Sequence, residues 1–284
     1  MEQSKRTKYL VAAASFVLIV VAIFFLFIYQ KGPKKIKPQE NANDVKQLSE
    51  ISLEKRPYVT LTPTSDGAEI IISIENMGQF DKIEYELTYM ADNPQIAGEK
   101  IERGSTGTDV NTKDAKYKKS ILLGTASRGV RNPDKSVTDG KLTMHLAEGD
   151  AQYLSETGWD LIQAGVKPQQ IYDRSSKFAV SLPSLGKDYW IILADTIGLP
   201  AQRGDFKTEN VLLPVYGSFS IAPKFPENAQ VSIKEDGEVT DLGLYSYNQQ
   251  DSKWQKLEVN FDSSANTLIS KVDSFATFVV IASK

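Results

Sequence analysis

The chain has 284 residues, of which 33 are Lys or Arg and 36 are Asp or Glu, with a single histidine and no cysteine. Without cysteine there are no disulfides or thiolate ligands, and one histidine argues against a conventional zinc site, which needs several such ligands. Residues 57–284 carry 23 basic against 31 acidic side chains, a net charge of −8, which argues against a nucleic-acid-binding surface.

The first predicted element is a membrane-spanning helix over residues 9–29. This segment is one apolar run, YLVAAASFVLIVVAIFFLFIY, with a tyrosine at each end. About twenty apolar residues in a helix cross a hydrocarbon layer of about 30 Å, and tyrosines favour its two interfaces. The run is longer than the apolar part of a signal peptide and lacks a small-residue cleavage site, which favours a retained anchor over a cleaved signal. The predicted partner of this helix is the lipid bilayer.

The flanking charges bear on orientation. Residues 1–8 hold three basic side chains and are predicted to form a cytoplasmic tail, but four lysines follow the helix, so the charge rule alone does not decide. Because long domains translocate largely regardless of flanking charge, we predict a single-pass protein of the cell membrane with its C-terminal domains extracytoplasmic. An inward-facing arrangement is the competing interpretation. Residues 30–56 are predicted to be a polar tether, with a marginal short helix over 43–55.

After Pro57 the sequence becomes typical of an all-β protein, with short β-branched and aromatic runs between turn residues. In the run 82–90, Ile83, Tyr85, Leu87 and Tyr89 alternate with polar residues, which predicts a strand with one buried face. The predicted strands of residues 57–204 are 58–62, 69–75, 82–90, 120–125, 141–146, 178–182 and 190–194. A long insertion over 91–176 is predicted between them, with a possible short helix within 155–168.

The segments GAEIIISI, IEYELTYM and KFAVSLPSLGKDYWIILAD resemble successive strands of a fibronectin type III or related immunoglobulin-like domain. This resemblance implies a β-sandwich over 57–204 in which Tyr189 is the family's corner tyrosine, with its hydroxyl bonded to nearby backbone. The spacing from Leu185 to Tyr189 is shorter than the family's loop, and the insertion is longer than its mid-domain.

Residues 205–284 are predicted to form a second small β-sandwich, since six or seven strand-like runs follow one another within about 80 residues. The segment resembles C-terminal β-modules of bacterial surface proteins, a resemblance that implies a fold rather than an activity. The residues that carry it are Tyr245, Tyr247, Trp254, Val272, Ser274, Phe275 and Phe278.

The sequence contains few residues typical of catalysis. His145 lies in an alternating run and is predicted to be an ordinary strand side chain, and no nucleophile-elbow motif accompanies it. Glu84 and Glu86 fall on the polar face of one strand, which indicates a solvated surface rather than a paired-carboxylate site. No catalytic, cofactor-binding or metal-binding residue is therefore predicted.

The candidate contact residues for a ligand or partner are three aromatic residues of the 91–176 region, Tyr153, Trp159 and Tyr172. Exposed rings there would stack on sugars or anchor a protein partner, and core packing is the competing interpretation. The predicted function is a binding, adhesion or envelope-structural role at the membrane, with a surface protein or a glycan as partner. The alternative is a carboxylate-dependent hydrolase acting on envelope polysaccharide.

Overall fold

The structure is a computed structural model that describes residues 45–226, 229–236 and 241–282. The predicted cytoplasmic tail, the predicted anchor over 9–29 and the first part of the predicted tether lie outside these residues. Within the described part of the chain, no helix has the length and apolar character needed to span a membrane.

The described residues confirm the prediction of an all-β protein with several sheets. The first ten strands are β1 Lys46–Gln47, β2 Tyr58–Pro63, β3 Glu69–Glu75, β4 Lys82–Asp92, β5 Lys100–Gly107, β6 Lys116–Leu122, β7 Gly124–Ser127, β8 Val130–Pro133, β9 Thr138–Glu148 and β10 Ala151–Ala164. The others are β11 Gln169–Tyr172, β12 Phe178–Leu182, β13 Tyr189–Thr196, β14 Val211–Ser220, β15 Ala229–Lys234, β16 Leu242–Asn248, β17 Lys253–Leu257, β18 Val259–Asp262, β19 Thr267–Val272 and β20 Thr277–Ala282. Short 3-10 turns cover Leu48–Glu50, Leu53–Lys55 and Thr208–Asn210.

A large central sheet organises these strands. Its order is β17-β16-β20-β14-β13-β10-β9-β4-β5, and β1 pairs in parallel with β10 beside this path. A three-stranded sheet has the order β2-β3-β6, and a five-stranded sheet has the order β11-β12-β15-β19-β18. Strands β7 and β8 form a separate two-stranded ribbon.

The two smaller sheets pack on opposite faces of the central sheet. Ile192 of β13 lies in one hydrophobic core with Ile72 of the three-stranded sheet, whereas Leu193 lies in a second core with Val231 of the five-stranded sheet. Successive side chains of a strand point to opposite faces, so β13 supplies both cores. Its unbroken apolar run, Ile191 to Ala194, is typical of a strand covered on both sides.

The predicted helix within 155–168 is wrong. These residues continue β10 as far as Ala164, first pairing with β9 and then with β13. The reason is burial on alternate sides, because Trp159 packs in the core of the three-stranded sheet and Ala164 in the core of the five-stranded sheet. The region 91–176, expected as an insertion, supplies strands β5 to β11.

Residues 45–56 differ from the polar tether and the single helix expected for this segment. They form β1 and two 3-10 turns, and Leu48, Ile51 and Leu53 are buried. The Arg56 side chain is also buried and donates to the carbonyl oxygens of Ile51 at 2.8 Å and Ser49 at 2.9 Å. Tertiary burial of these apolar residues thus fixes a conformation that the local sequence does not specify.

The predicted division at residues 204 and 205 stays a prediction. Across it, β13 pairs antiparallel with β14, from Ile191 opposite Ser220 to Thr196 opposite Val215.

The corner-tyrosine contact implied for Tyr189 is not formed, since the Tyr189 hydroxyl has no hydrogen bond among the described residues. The Tyr189 ring is instead contacted by the Lys187 ammonium, which lies 5.0 Å from the ring centroid.

Candidate binding site

The three aromatic residues predicted as contacts lie on strands rather than in irregular chain. Trp159 is 1% exposed, so its ring belongs to the core and is not available to a partner in this conformation. Tyr153 is partly buried, with its ring centroid 6.4 Å from that of Phe80. Tyr172 is 51% exposed and donates a 2.7 Å hydrogen bond to Gln170 Oε1, and it stays a predicted contact residue.

The single histidine lies where the sequence predicts. His145 is exposed on β9, opposite Glu84 of β4 and Leu154 of β10. Glu84 pairs with Lys82 at 2.9 Å on the same open face of the central sheet. This arrangement is an ordinary solvated sheet surface.

Trp190 and Trp254, predicted to be core residues, are only partly buried.

Polar side chains converge instead in a cavity of about 290 Å³, hereafter the junction cavity, between the three-stranded sheet and the C-terminal strands. One wall is the outer face of the three-stranded sheet, where Thr60, Ser73 and Lys118 form one row across β2, β3 and β6. The alternation of β3 explains this wall, because Ile72 and Ile74 point into the core while Ser73 points outward. The other wall consists of residues 218–222, 248–250 and 274–276, together with Lys224.

The charges of the junction cavity come from three lysines. Lys116 pairs with Glu75 at 2.6 Å, and Lys224 pairs with Asp273 at 3.2 Å. The hydrogen bond to Asp273 raises the pKa of Lys224 further above neutrality. Lys118 forms no ion pair with any described residue, and no acidic residue is among the described residues that line the cavity. The cavity therefore presents an uncompensated positive charge.

Hydrogen bonds of the Tyr58 hydroxyl link the two walls. The Tyr58 hydroxyl lies 2.7 Å from Thr277 Oγ1 and accepts from Gln249 Nε2 at 3.2 Å. Desolvation raises the pKa of Tyr58, so the phenol is neutral. Asn248 Nδ2 donates to Ser274 Oγ at 3.0 Å. The Tyr58 contacts join β2 of one wall to the turn and the C-terminal strand of the other, whereas the Asn248 contact lies within the second wall.

A second titratable group lies elsewhere on the central sheet. Burial, and to a smaller extent the charge of Asp173, raises the pKa of Asp195 to about 6. Asp195 lines a separate hollow of about 240 Å³ together with Arg56 and Glu156. Among the described residues no group of three His, Cys, Asp or Glu is placed to hold a metal ion.

Sequence reasoning missed the junction cavity because its residues come from six separate segments of the chain. The available signal was weak, namely the polar positions that alternate with core residues in β2, β3 and β6. Which of these polar faces meets another wall depends on how the sheets pack.

Comparison with known proteins assigns no family, since no family model, no curated protein and no solved structure matches the chain.

Proposed function

We propose that this protein is a membrane-anchored, extracytoplasmic β-sandwich protein with a binding role in adhesion or envelope structure, and that the junction cavity is its recognition site. The observation that carries the proposal is the lining of this cavity, which combines hydroxyls and amides with the unpaired ammonium of Lys118. A concave site with a few convergent polar groups is the usual form of a binding site.

The chemistry of the lining favours a polar partner that carries negative charge. Serine, threonine, asparagine and glutamine side chains both donate and accept hydrogen bonds, whereas an ammonium only donates and attracts anions. The Tyr58 contacts link the two cavity walls and the Asn248 contact orders the second wall, and a preformed site loses less conformational entropy when it binds. A surface glycan or an acidic surface protein has the required character.

Three parts of this proposal rest on the sequence. They are the anchor over 9–29, the outward orientation and the immunoglobulin-like character of the sandwiches. The alternative function, a carboxylate-dependent hydrolase, has less support. It needs two carboxylates that face one cleft. Glu84 and Glu86 lie outside the junction cavity, on the open face of the central sheet, and the carboxylates of Asp195 and Glu156 line the separate hollow rather than this cavity.

The experiment is a retention assay with the full chain purified in detergent and insoluble envelope material from the same cells. Lys118→Glu replaces attraction by repulsion at the cavity and should weaken retention about tenfold, a loss of about 1.4 kcal/mol. Lys167→Glu is the matched control, because Lys167 is exposed, forms no ion pair with a described residue and lies outside the cavity. Equal retention of the two variants would contradict the proposal.

The orientation is tested separately. Intact cells that carry a C-terminally tagged chain are treated with an impermeant protease, with lysed cells and a cytoplasmic marker as controls. Loss of the tag from intact cells is the expected result. Protection until lysis would favour the inward-facing arrangement and exclude a role at the outer surface.

A further inference from the structure

The junction cavity continues into two further hollows along the β16–β17 hairpin, of about 330 Å³ and about 270 Å³. The first of these shares Lys224, Asn248 and Ser274 with the cavity. The two hollows share Ser246, Gln255, Asp273 and Ser274 with each other. The three spaces thus form one elongated concave surface, which we name the polar trough.

The alternation of the hairpin explains why this surface is polar. Leu244 faces Leu257 across the hairpin, and both pack in the core that the five-stranded sheet covers. Further along the same face, Ser246 faces Gln255 and Asn248 faces Lys253. These positions line the hollows and contain no large apolar side chain. The hairpin therefore changes from a core face to an open polar face along its length.

The polar trough carries an excess of positive charge on a chain whose overall net charge is −3. Its described lining includes two aspartates, Asp251 and Asp273. Its lysines are Lys116, Lys118, Lys224, Lys253 and Lys271. Three of them, Lys118, Lys253 and Lys271, form no ion pair with a described residue. The unpaired ammonium groups lie in different hollows, which suits a ligand with several negative charges rather than one.

We propose that the polar trough binds a linear acidic oligosaccharide. This inference rests on the proposed function and specifies its ligand. A polymer of acidic sugars presents hydroxyls that match the serine, asparagine and glutamine side chains, and negative groups that match the lysines at intervals. An extended peptide fits this surface less well. It would add to the free edge of β17 through backbone hydrogen bonds, whereas the trough lies on the face of the hairpin.

The experiment is a calorimetric titration of the full chain in detergent with oligogalacturonides from dimer to octamer. Neutral cello-oligosaccharides of the same lengths are the control ligands. Affinity for the acidic series should rise at least tenfold from the dimer to the octamer and fall with added salt, because longer chains reach more of the lysines. The neutral series should bind at least tenfold more weakly at each length.

Two variants locate the ligand. Lys118→Gln, in the junction cavity, and Lys253→Gln, in the adjoining hollow, should each weaken binding of the octamer severalfold. The dimer is short and reaches only part of the trough. Neither single substitution should therefore weaken dimer binding as much as the two substitutions together weaken octamer binding. Lys167→Gln should bind like the unmodified protein.

The outcomes separate this inference from the proposed function. Three results would overturn the oligosaccharide inference: the acidic series does not bind, its affinity does not depend on length, or its affinity is unchanged by both lysine substitutions. If retention on envelope material still depends on Lys118 in that case, the proposed binding function stands with a different ligand. If retention is also insensitive to Lys118, both fail.

Discussion

Ile192 and Leu193 are neighbours in β13, and their side chains enter two different hydrophobic cores. Both residues are essentially inaccessible to solvent, at 0% and 1% exposure. One strand therefore holds the three-stranded sheet on one side and the five-stranded sheet on the other. Loss of either sheet would expose one apolar face of β13, which couples the stabilities of the two cores.

This coupling predicts the effect of truncating either side chain. Ile192→Ala and Leu193→Ala each leave a cavity in a different core and should each lower the free energy of unfolding by about 2–5 kcal/mol. Denaturant unfolding followed by tryptophan fluorescence should show one transition with a lower midpoint in both variants. Ile221→Ala is the control, because Ile221 is 44% exposed and should change the stability by less than about 0.5 kcal/mol. Two transitions, each sensitive to one substitution, would contradict the coupling.

A glycine of β9 lies against the buried tryptophan of β10. A Cβ atom at Gly140 would lie 2.2 Å from the Trp159 ring, which is itself fixed in the core. Gly140→Ala should therefore destabilise the fold by about 1–3 kcal/mol through overpacking. Thermal unfolding measures this loss, with Gly78→Ala as control, since a Cβ atom at Gly78 meets nothing within 4 Å. A similar melting temperature for the two variants would show that the Trp159 ring moves aside.

The Tyr58 hydroxyl joins β2 to β20 and to the turn after β16. Tyr58→Phe removes the shared partner of Thr277 and Gln249 inside the protein and should cost about 1–3 kcal/mol. Tyr172→Phe removes a hydroxyl from an exposed ring and should cost less than about 0.5 kcal/mol. Equilibrium unfolding of both variants tests the difference. A double-mutant cycle of Tyr58→Phe with Thr277→Val should give a coupling energy between the two hydroxyls. If the two losses of stability simply add, that result argues against the Tyr58–Thr277 hydrogen bond.

Asp195 should make stability depend on pH. Burial raises the pKa of Asp195 to about 6 in the folded state, above its usual value of 3.8, so the folded protein binds this proton more tightly than the unfolded chain. The stabilising contribution is full below about pH 4 and is lost as the pH rises through about 6. Asp195 is nevertheless exposed to solvent on β13, so screening by water should make the amplitude small.

Asp195→Asn tests this pH dependence directly. The variant cannot ionise and should be more stable than the unmodified protein above about pH 6, with the difference disappearing below about pH 4. Urea unfolding at a series of pH values measures the two free energies. A difference between the two proteins that is constant across this range would show that the Asp195 pKa is not raised.

Strand positions were the most predictable part of the fold. Glu69–Glu75 and Phe178–Leu182 occupy the predicted bounds, because β-branched and alternating apolar residues between turn residues specify strands locally. A possible short helix is predicted within 155–168, between Gly158 and Pro168, but residues 155–164 belong to β10. In the structure both of its faces are covered along part of its length, and a strand covered on both faces does not alternate.

The candidate site was far less predictable than the strands. Tyr153 and Trp159 are aromatic residues of the region predicted as an insertion, yet they lie on β10, partly buried and fully buried respectively. The sequence around Lys118 and Asn248 contains no motif that indicates function. Each is an ordinary polar residue in a strand or at its end. Only the approach of β6 and the β16–β17 turn to one cavity brings them together.

The sequence by itself determined the all-β class and most of the strand positions, because side-chain alternation and turn residues act over a few positions of the chain. The absence of cysteine likewise determined that packed cores must supply the stability. Only the tertiary structure decided that one central sheet serves two cores and that polar faces of distant strands meet in a cavity. These features depend on contacts between residues as far apart as Tyr58 and Thr277, which no local pattern records.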